Sequence, residues 1–461
     1  MRGADPSSLF SPYSPYSPLS PTFQQMKLGV ISLGCDKATV DSEALLARFV
    51  GHGAEVTPEL ADADVILVNT CGFIDAAKQE SIDAMLTAAR MKLEGRCRAV
   101  VAVGCLVARY GEELRKEIPE VDYFYGFKDL PGLIPTLHAD GLLDDPVAMH
   151  PGMRFFFGTK PHVRYLKISE GCDHTCAFCA IPLMRGKHRS RPLEELVREA
   201  QELEGQGARE INLVAQDLGH YGRDVAGGPR LPDLIRALLK ETGVAWFRCL
   251  YVYSMGITPE LVELWAREPR LVPYIDMPIQ HANDRMLQLM RRPERQRTIR
   301  TKVAWLRAAI PDMTIRTTAL VGFPTETEPE FRELLEFVDE MQFDRLGAFA
   351  YSPQEGTRAA QLADDVPDAV KRDRLEAVLE LQRAVSAERL ARMVGREADV
   401  LVDEPAQPGD PGDLIGRTAF QADDVDGCTY LTAGSGAAAG TFVRSRVVDT
   451  LDYDVIAEPA A

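Results

Sequence analysis

From residue 26 onward the chain alternates two hydrophobic periods. Residues 28–33 form an apolar strand run, and 40–50 repeats its apolar positions at helical spacing. A second strand is expected at 64–69, a second helix at 75–90 and a third strand at 99–103. Strand–helix alternation of this kind predicts a parallel sheet joined by helical crossovers. A stretch at 138–157, containing Pro146, Pro151 and Gly152, reads as a linker. The alternation then resumes. Strands are expected at 163–169, 210–215, 246–252, 272–277, 314–321 and 345–351, with helices such as 193–204 and 328–341 between them. Six such units predict a partial (β/α) barrel, followed by a long helical segment at 368–394. After 395 the period shortens. Runs at 398–402, 415–420, 429–432 and 441–448, separated by Gly, Pro and Asp, predict a small antiparallel β barrel. The expected fold class is α/β in three domains: a parallel α/β domain at 26–137, a barrel domain at 158–394 and the β barrel at 395–461. Residues 1–25, with proline at every third position from Pro12 to Pro21, hold too few aliphatic side chains to form a core and read as a disordered tail.

Composition narrows the class. No apolar run approaches the ~20 residues that span a bilayer, and no secretory leader is recognisable. Nine cysteines in 461 residues do not suggest a disulfide framework. A cytoplasmic enzyme with thiols serving as metal ligands is the expectation, with no membrane partner. The net charge of −17 argues against a general nucleic-acid coat protein. From Gly395 onward there are 13 acidic residues, four arginines and no lysine, a net of −9 in 67 residues. More than half of the excess negative charge therefore lies in the small terminal domain.

Two sets of cysteines carry the chemistry. Cys172, Cys176 and Cys179 form a C-x3-C-x2-C run just after the first barrel strand. Three thiolates this close can hold three corners of a four-iron, four-sulfur cluster and leave one iron open for a ligand. The alternative is half a zinc site, with His174 between the cysteines but no second ligand pair nearby. Cys35, Cys71 and Cys105 each fall just past the end of a predicted N-terminal strand, beside Gly34, Gly72 and Gly104. The C-terminal edge of a parallel sheet is where ligands bind, so a second cluster is expected there. Three buried structural thiols are the alternative. Cys97, Cys249 and Cys428 read as structural.

The segments 31–43, 68–74, 103–105, 171–191, 316–327 and 351–357 together resemble the radical S-adenosylmethionine (SAM) methylthiotransferases, over essentially all of 26–457. Residues 274–283 and 289–293 resemble the branch that modifies ribosomal protein S-twelve, although Asp36 and Ala38 stand where those relatives commonly have Pro and Asn. The resemblance implies replacement of a C–H on the β-carbon of an aspartate by a methylthio group. It implies two four-iron, four-sulfur clusters and SAM as cofactors. The cluster on Cys172, Cys176 and Cys179 would generate the radical from SAM, and that on Cys35, Cys71 and Cys105 would carry the sulfur. Phe178, Gln216, Arg316 and Gly322 are then candidate SAM contacts, with Asp217 beside Gln216. His281, Asp423, Asp424 and Asp426 are candidate substrate contacts. Implied partners are ribosomal protein S-twelve or the small ribosomal subunit, an electron donor such as flavodoxin or ferredoxin, and a sulfur source. Two basic runs, 185–191 and 291–302, read as solvated faces or as contacts to ribosomal RNA or a basic protein. The competing functions are a tRNA adenosine methylthiotransferase and a non-catalytic, metal-stabilised RNA-binding protein. The acidic terminal domain favours a basic protein over phosphate.

Overall fold

The computed structural model describes residues 25–146, 153–158, 160–432 and 436–460. Residues 1–24 of the expected tail at 1–25, and the middle of the expected linker, lie outside the described residues. The described residues pack as two compact units, those up to 158 with 180–187, and 160–179 with those from 188 onward.

In the first unit, strands and helices alternate: β1 (Lys27–Ser32), α1 (Asp36–Val50), β2 (Glu55–Thr57), β3 (Val65–Thr70), α2 (Asp75–Glu94), β4 (Ala99–Gly104), α3 (Cys105–Glu117), β5 (Tyr123–Tyr125) and α4 (Leu133–Ala139). All five strands are parallel, in the order β2-β1-β3-β4-β5. Strands β3 and β4 are buried along their whole length, which is why they read as continuous apolar runs. The outer strands β2 and β5 have three residues each, too few to establish a period. The register sets Ser32 opposite Asn69 and Thr70 opposite Gly104. The C-terminal ends of β1, β3 and β4 therefore adjoin. Residues 153–157 are packed rather than free: buried Arg154 pairs with Glu43, and Phe155 and Phe157 lie on the same core. A short helix, α5 (Ile181–Arg185), also belongs to this unit.

The second unit holds the partial barrel. Its strands β6 (Val163–Lys167), β9 (Glu210–Val214), β10 (Trp246–Cys249), β11 (Leu271–Asp276), β12 (Thr314–Val321) and β13 (Arg345–Ala350) form one parallel sheet in the order β13-β12-β11-β10-β9-β6. Helices α6 (Leu193–Gly205), α7 (Leu231–Glu241), α8 (Pro259–Arg267), α9 (Asp284–Leu289), α10 (Gln296–Ala309), α11 (Glu328–Met341) and α12 (Asp368–Ala391) intervene or follow. Local signals set their starts. Thr258 and Asn283 accept from Leu261 and Met286 amides, and Thr327 with Glu330 forms a capping box. A two-residue ribbon, β7 (Ser169–Glu170) with β8 (Arg189–Ser190), flanks the segment containing the C-x3-C-x2-C loop.

The terminal domain is a closed barrel of five strands, β14 (Glu397–Pro405), β15 (Leu414–Thr418), β16 (Thr429–Leu431), β17 (Phe442–Thr450) and β18 (Val455–Pro459). The sequence pattern gave four antiparallel strands. The fifth, β18, inserts between β16 and β17 and runs parallel to β16. Its apolar core is small: Val400, Val402, Leu431 and Ala457. Charge seats it against the sheet. Arg417 of β15 bridges Asp403 at 2.7 Å and Glu210 of β9 at 2.6 Å, and Glu210 also accepts from Arg248 of β10 at 2.8 Å. All four side chains are buried.

Candidate functional site

In the first unit each expected thiol sits where a strand hands over to a helix. Cys35 is the extended residue that precedes α1, Cys71 follows β3, and Cys105 opens α3. Ser81 holds the Cys71 backbone at both ends, accepting from its amide and donating to its carbonyl, each at 2.9 Å. Asn69 ties β3 to α1 by donating to the Ala38 carbonyl and the Ser42 hydroxyl. The neighbouring glycines make room. Gly34, at φ 112°, takes a backbone conformation that L side chains rarely adopt, and a Cβ on Gly104, at φ 100°, would overlap Asn69 Oδ1 at 2.3 Å. Burial pushes the Cys105 thiol up to about 11 and raises Cys71. Arg185 opposes the rise at both, and the neighbouring thiolates add to it. Thiols that resist ionising together are stabilised as thiolates by bound metal cations. The residues fit an iron–sulfur cluster.

In the second unit Cys172 and Cys176 are buried and Cys179 is half-buried. The loop is clamped from two sides, since the Ala177 amide donates to Met290 and the Ala177 carbonyl accepts from Ala359. Burial pushes Cys172 up to about 11, so this set also fits a cationic cluster. His174 does not pair with the thiols as a zinc ligand would. Its Nε2 lies 2.7 Å from Asp217 Oδ2, and its ring stacks on Tyr253 at 4.1 Å. Asp217 also accepts from the Gly219 amide at 2.9 Å and the Tyr253 amide at 3.3 Å. Two residues missed by sequence reading complete this shell. The Tyr253 hydroxyl is 3.5 Å and Arg292 Nη1 3.8 Å from the Cys176 sulfur.

The other expected site residues divide. Phe178 packs with Met286, Met290, Leu320, Phe323 and Tyr351 beside the cluster loop. Gln216 follows β9 and presents a buried Oε1 that no donor among the described residues satisfies, as a ligand-binding acceptor would. Arg316 is held by Asp276 at 3.2 Å. Gly322, at φ 69°, leaves room for the Lys371 side chain, and its amide donates to Glu326. His281 is fully buried. The Asn283 amide donates to its Nδ1 at 2.9 Å, so Nε2 carries the proton that meets Glu326 at 3.0 Å. Its ring is held by these two partners. Asp423 pairs with Lys160 at 2.6 Å, and Asp426 accepts from the Ala422 amide and faces Arg316 and Arg345. Both carboxylates are buried. Only Asp424 of the three acids opens to solvent. The basic runs are likewise partly spent: Arg185 pairs with Asp41 and covers the Phe127 ring, Arg292 is buried, and Arg300 pairs with Glu340.

A parallel sheet with three thiols along its C-terminal edge, and a partial barrel carrying a C-x3-C-x2-C loop, define a radical SAM enzyme with a second thiol-lined site. The comparisons agree. Residues 166–338 match the radical SAM superfamily, 27–126 match an uncharacterized family designated UPF0004, and 394–459 match the TRAM domain. The chain is 45% identical over 440 residues to the ribosomal protein uS12 methylthiotransferase RimO of Geobacter sulfurreducens, covering 94% of this chain and 98% of that one. It is 46% identical over 439 residues to the RimO of Desulforudis audaxviator, covering 93% and 96%. The chain belongs to the RimO family of methylthiotransferases. Among solved structures, the radical SAM methyltransferase TsrM of Kitasatospora setae shares the fold at a TM-score of 0.51 and 13% identity, over 71% of this chain and 75% of that one.

Proposed function

We propose that this protein adds a methylthio group to the β-carbon of an aspartate in ribosomal protein uS12, in the cytoplasm. The observation that carries the reading is the presence of two separate sets of three thiols, one at the strand ends of a parallel sheet and one in a single loop after the first barrel strand, in a chain of the RimO family. When bound, the two clusters and SAM supply the radical and sulfur chemistry, which side chains cannot perform on an unactivated C–H. The chain's own residues bind, orient and shield. Cys172, Cys176 and Cys179 would hold the cluster that binds SAM, and Cys35, Cys71 and Cys105 the second. The Met290 carbonyl and Ala359 amide fix the first loop. Phe178 offers an apolar face and Gln216 Oε1 an open acceptor for SAM. Gly322 follows the C-terminal end of β12, whereas half-buried Arg316 lies near its N-terminal end, paired with Asp276. A flavodoxin- or ferredoxin-type donor would supply electrons, and a separate source the sulfur.

Substrate choice follows from charge. Glu404, Asp413, Asp424, Asp449 and Glu458 remain exposed on the terminal barrel, where they suit a basic protein loop better than phosphate. The test has two parts. Anaerobic reconstitution should load about eight irons, and replacing either cysteine set by Ala should leave about four. Mass spectrometry of ribosomal proteins and tRNA from cells with and without the gene should then show the methylthio group lost from uS12. Loss from tRNA instead would reject the substrate assignment.

A further inference from the structure

The surroundings of Cys176 are more elaborate than holding a loop requires. Its sulfur faces two side-chain donors, the Tyr253 hydroxyl at 3.5 Å and Arg292 Nη1 at 3.8 Å. Neither donor is free to leave. His174 stacks parallel to the Tyr253 ring at 4.1 Å, while the Arg292 guanidinium lies 3.9 Å from the ring centroid. Two approaches this close require opposite faces, so the tyrosine is sandwiched. His174 is anchored by Asp217, which also accepts from the Tyr253 amide. Arg292 is fixed by the Pro278 carbonyl at 2.6 Å and Glu294 at 3.0 Å. Glu294 offsets the arginine charge, so what reaches the sulfur is chiefly directed N–H and O–H density.

We propose that Tyr253 and Arg292 raise the reduction potential of the cluster held by Cys172, Cys176 and Cys179 by donating to the Cys176 sulfur, and that the His174–Asp217 pair positions Tyr253 for this. The inference rests on the cluster reading above. A buried cluster resists an added electron, because burial penalises charge. Hydrogen bonds to a ligand sulfur draw density from it and offset that penalty. Reduction here adds one electron from an external one-electron reductant, with no bond made or broken. Tyr253 and Arg292 act through Cys176 and are positioning residues.

The experiment uses the full chain with Cys35, Cys71 and Cys105 changed to Ala, so that a single cluster titrates. After anaerobic reconstitution, its midpoint potential is measured by dithionite titration monitored by electron paramagnetic resonance. Tyr253→Phe keeps the stacked ring and removes one donor. It should retain about four irons while the reduction equilibrium falls about tenfold, about 59 mV for one electron. Arg292→Lys keeps a charge but loses the fork that spans sulfur and Pro278, and its potential should also fall. Tyr453→Phe, on the exposed turn before β18, should titrate as its parent. An unchanged or higher potential in whichever of Tyr253→Phe and Arg292→Lys retains four irons overturns the proposal. A parent protein that holds no four-iron cluster would remove the cluster reading, and the proposal with it.

Discussion

Replacing Arg417 by Met should unseat the terminal barrel. The guanidinium is buried among three carboxylates: Glu210 at 2.6 Å, Asp403 at 2.7 Å and Asp423 at 3.6 Å. The remaining cations are each engaged already, Arg248 with Glu210 and Lys160 with Asp423, while His162 Nε2 lies 2.8 Å from Asp403. Methionine fills most of the volume but leaves one negative charge uncompensated in a site closed to water. Removing one partner of a buried ion pair costs about 3–5 kcal/mol, and the small apolar core of the barrel offers little to offset it. The sign of the Asp403 shift agrees. Despite desolvation, its bonds from His162 and Arg417 hold its pKa below the ordinary carboxylate value of 3.8, so its contribution is present above that value and is lost as pH falls through the depressed one. The assay is urea unfolding followed by tryptophan fluorescence. Trp246 of β10 meets Phe442 of β17 edge to face at 4.8 Å, reporting directly on barrel docking. Arg417→Met with Asp403→Asn should recover part of the loss, since residues in one network couple by about 0.5–3 kcal/mol. A loss below about 1 kcal/mol for Arg417→Met, with the Trp246 signal unchanged, would refute the reasoning.

Three further outcomes are expected. With Cys35, Cys71 and Cys105 changed to Ala, dithionite should still drive SAM cleavage to 5′-deoxyadenosine while no methylthio product forms, as read by chromatography and mass spectrometry; loss of cleavage with an intact barrel cluster would contradict the division of labour. Glu404→Lys with Asp424→Lys should weaken binding of the ribosomal protein in titrations, less so as salt rises past a Debye length of about 8 Å, whereas Asp423→Asn should instead lower the urea midpoint, because only its carboxylate is buried. The Arg285 bond, with that from Thr327, lowers the Glu330 pKa to about 2, so its stabilising contribution is present above about 4.5 and lost as pH falls toward 2; Arg285→Met should lower the urea midpoint at pH 7 and flatten its decline across that range.

Much of the site is legible in the sequence alone. Cys172, Cys176 and Cys179 are adjacent in the chain, so their spacing states their chemistry before any folding. Cys35, Cys71 and Cys105 are distant, but each follows a strand, and parallel topology obliges strand ends of one sheet to share an edge. The long apolar strands β3 and β4 and the helix caps at Thr258, Asn283 and Thr327 are local signals of the same kind. The rest depends on which side chains meet across the fold. His281 lies within a family motif, yet tertiary packing turns it onto Glu326, 45 positions away. Asp423, Asp424 and Asp426 look alike as an acidic cluster. Folding buries the carboxylates of the first and third against Lys160, Arg316 and Arg345 and leaves the second open. Arg292 reads as one more charge in a basic run, and Tyr253 carries no pattern at all; only the folded partial barrel brings them to the Cys176 sulfur. Periodicity and spacing encode what neighbours in the chain can do. Burial and charge pairing between remote residues are energies of the assembled structure, and they decided which acids, histidines and arginines belong to the site.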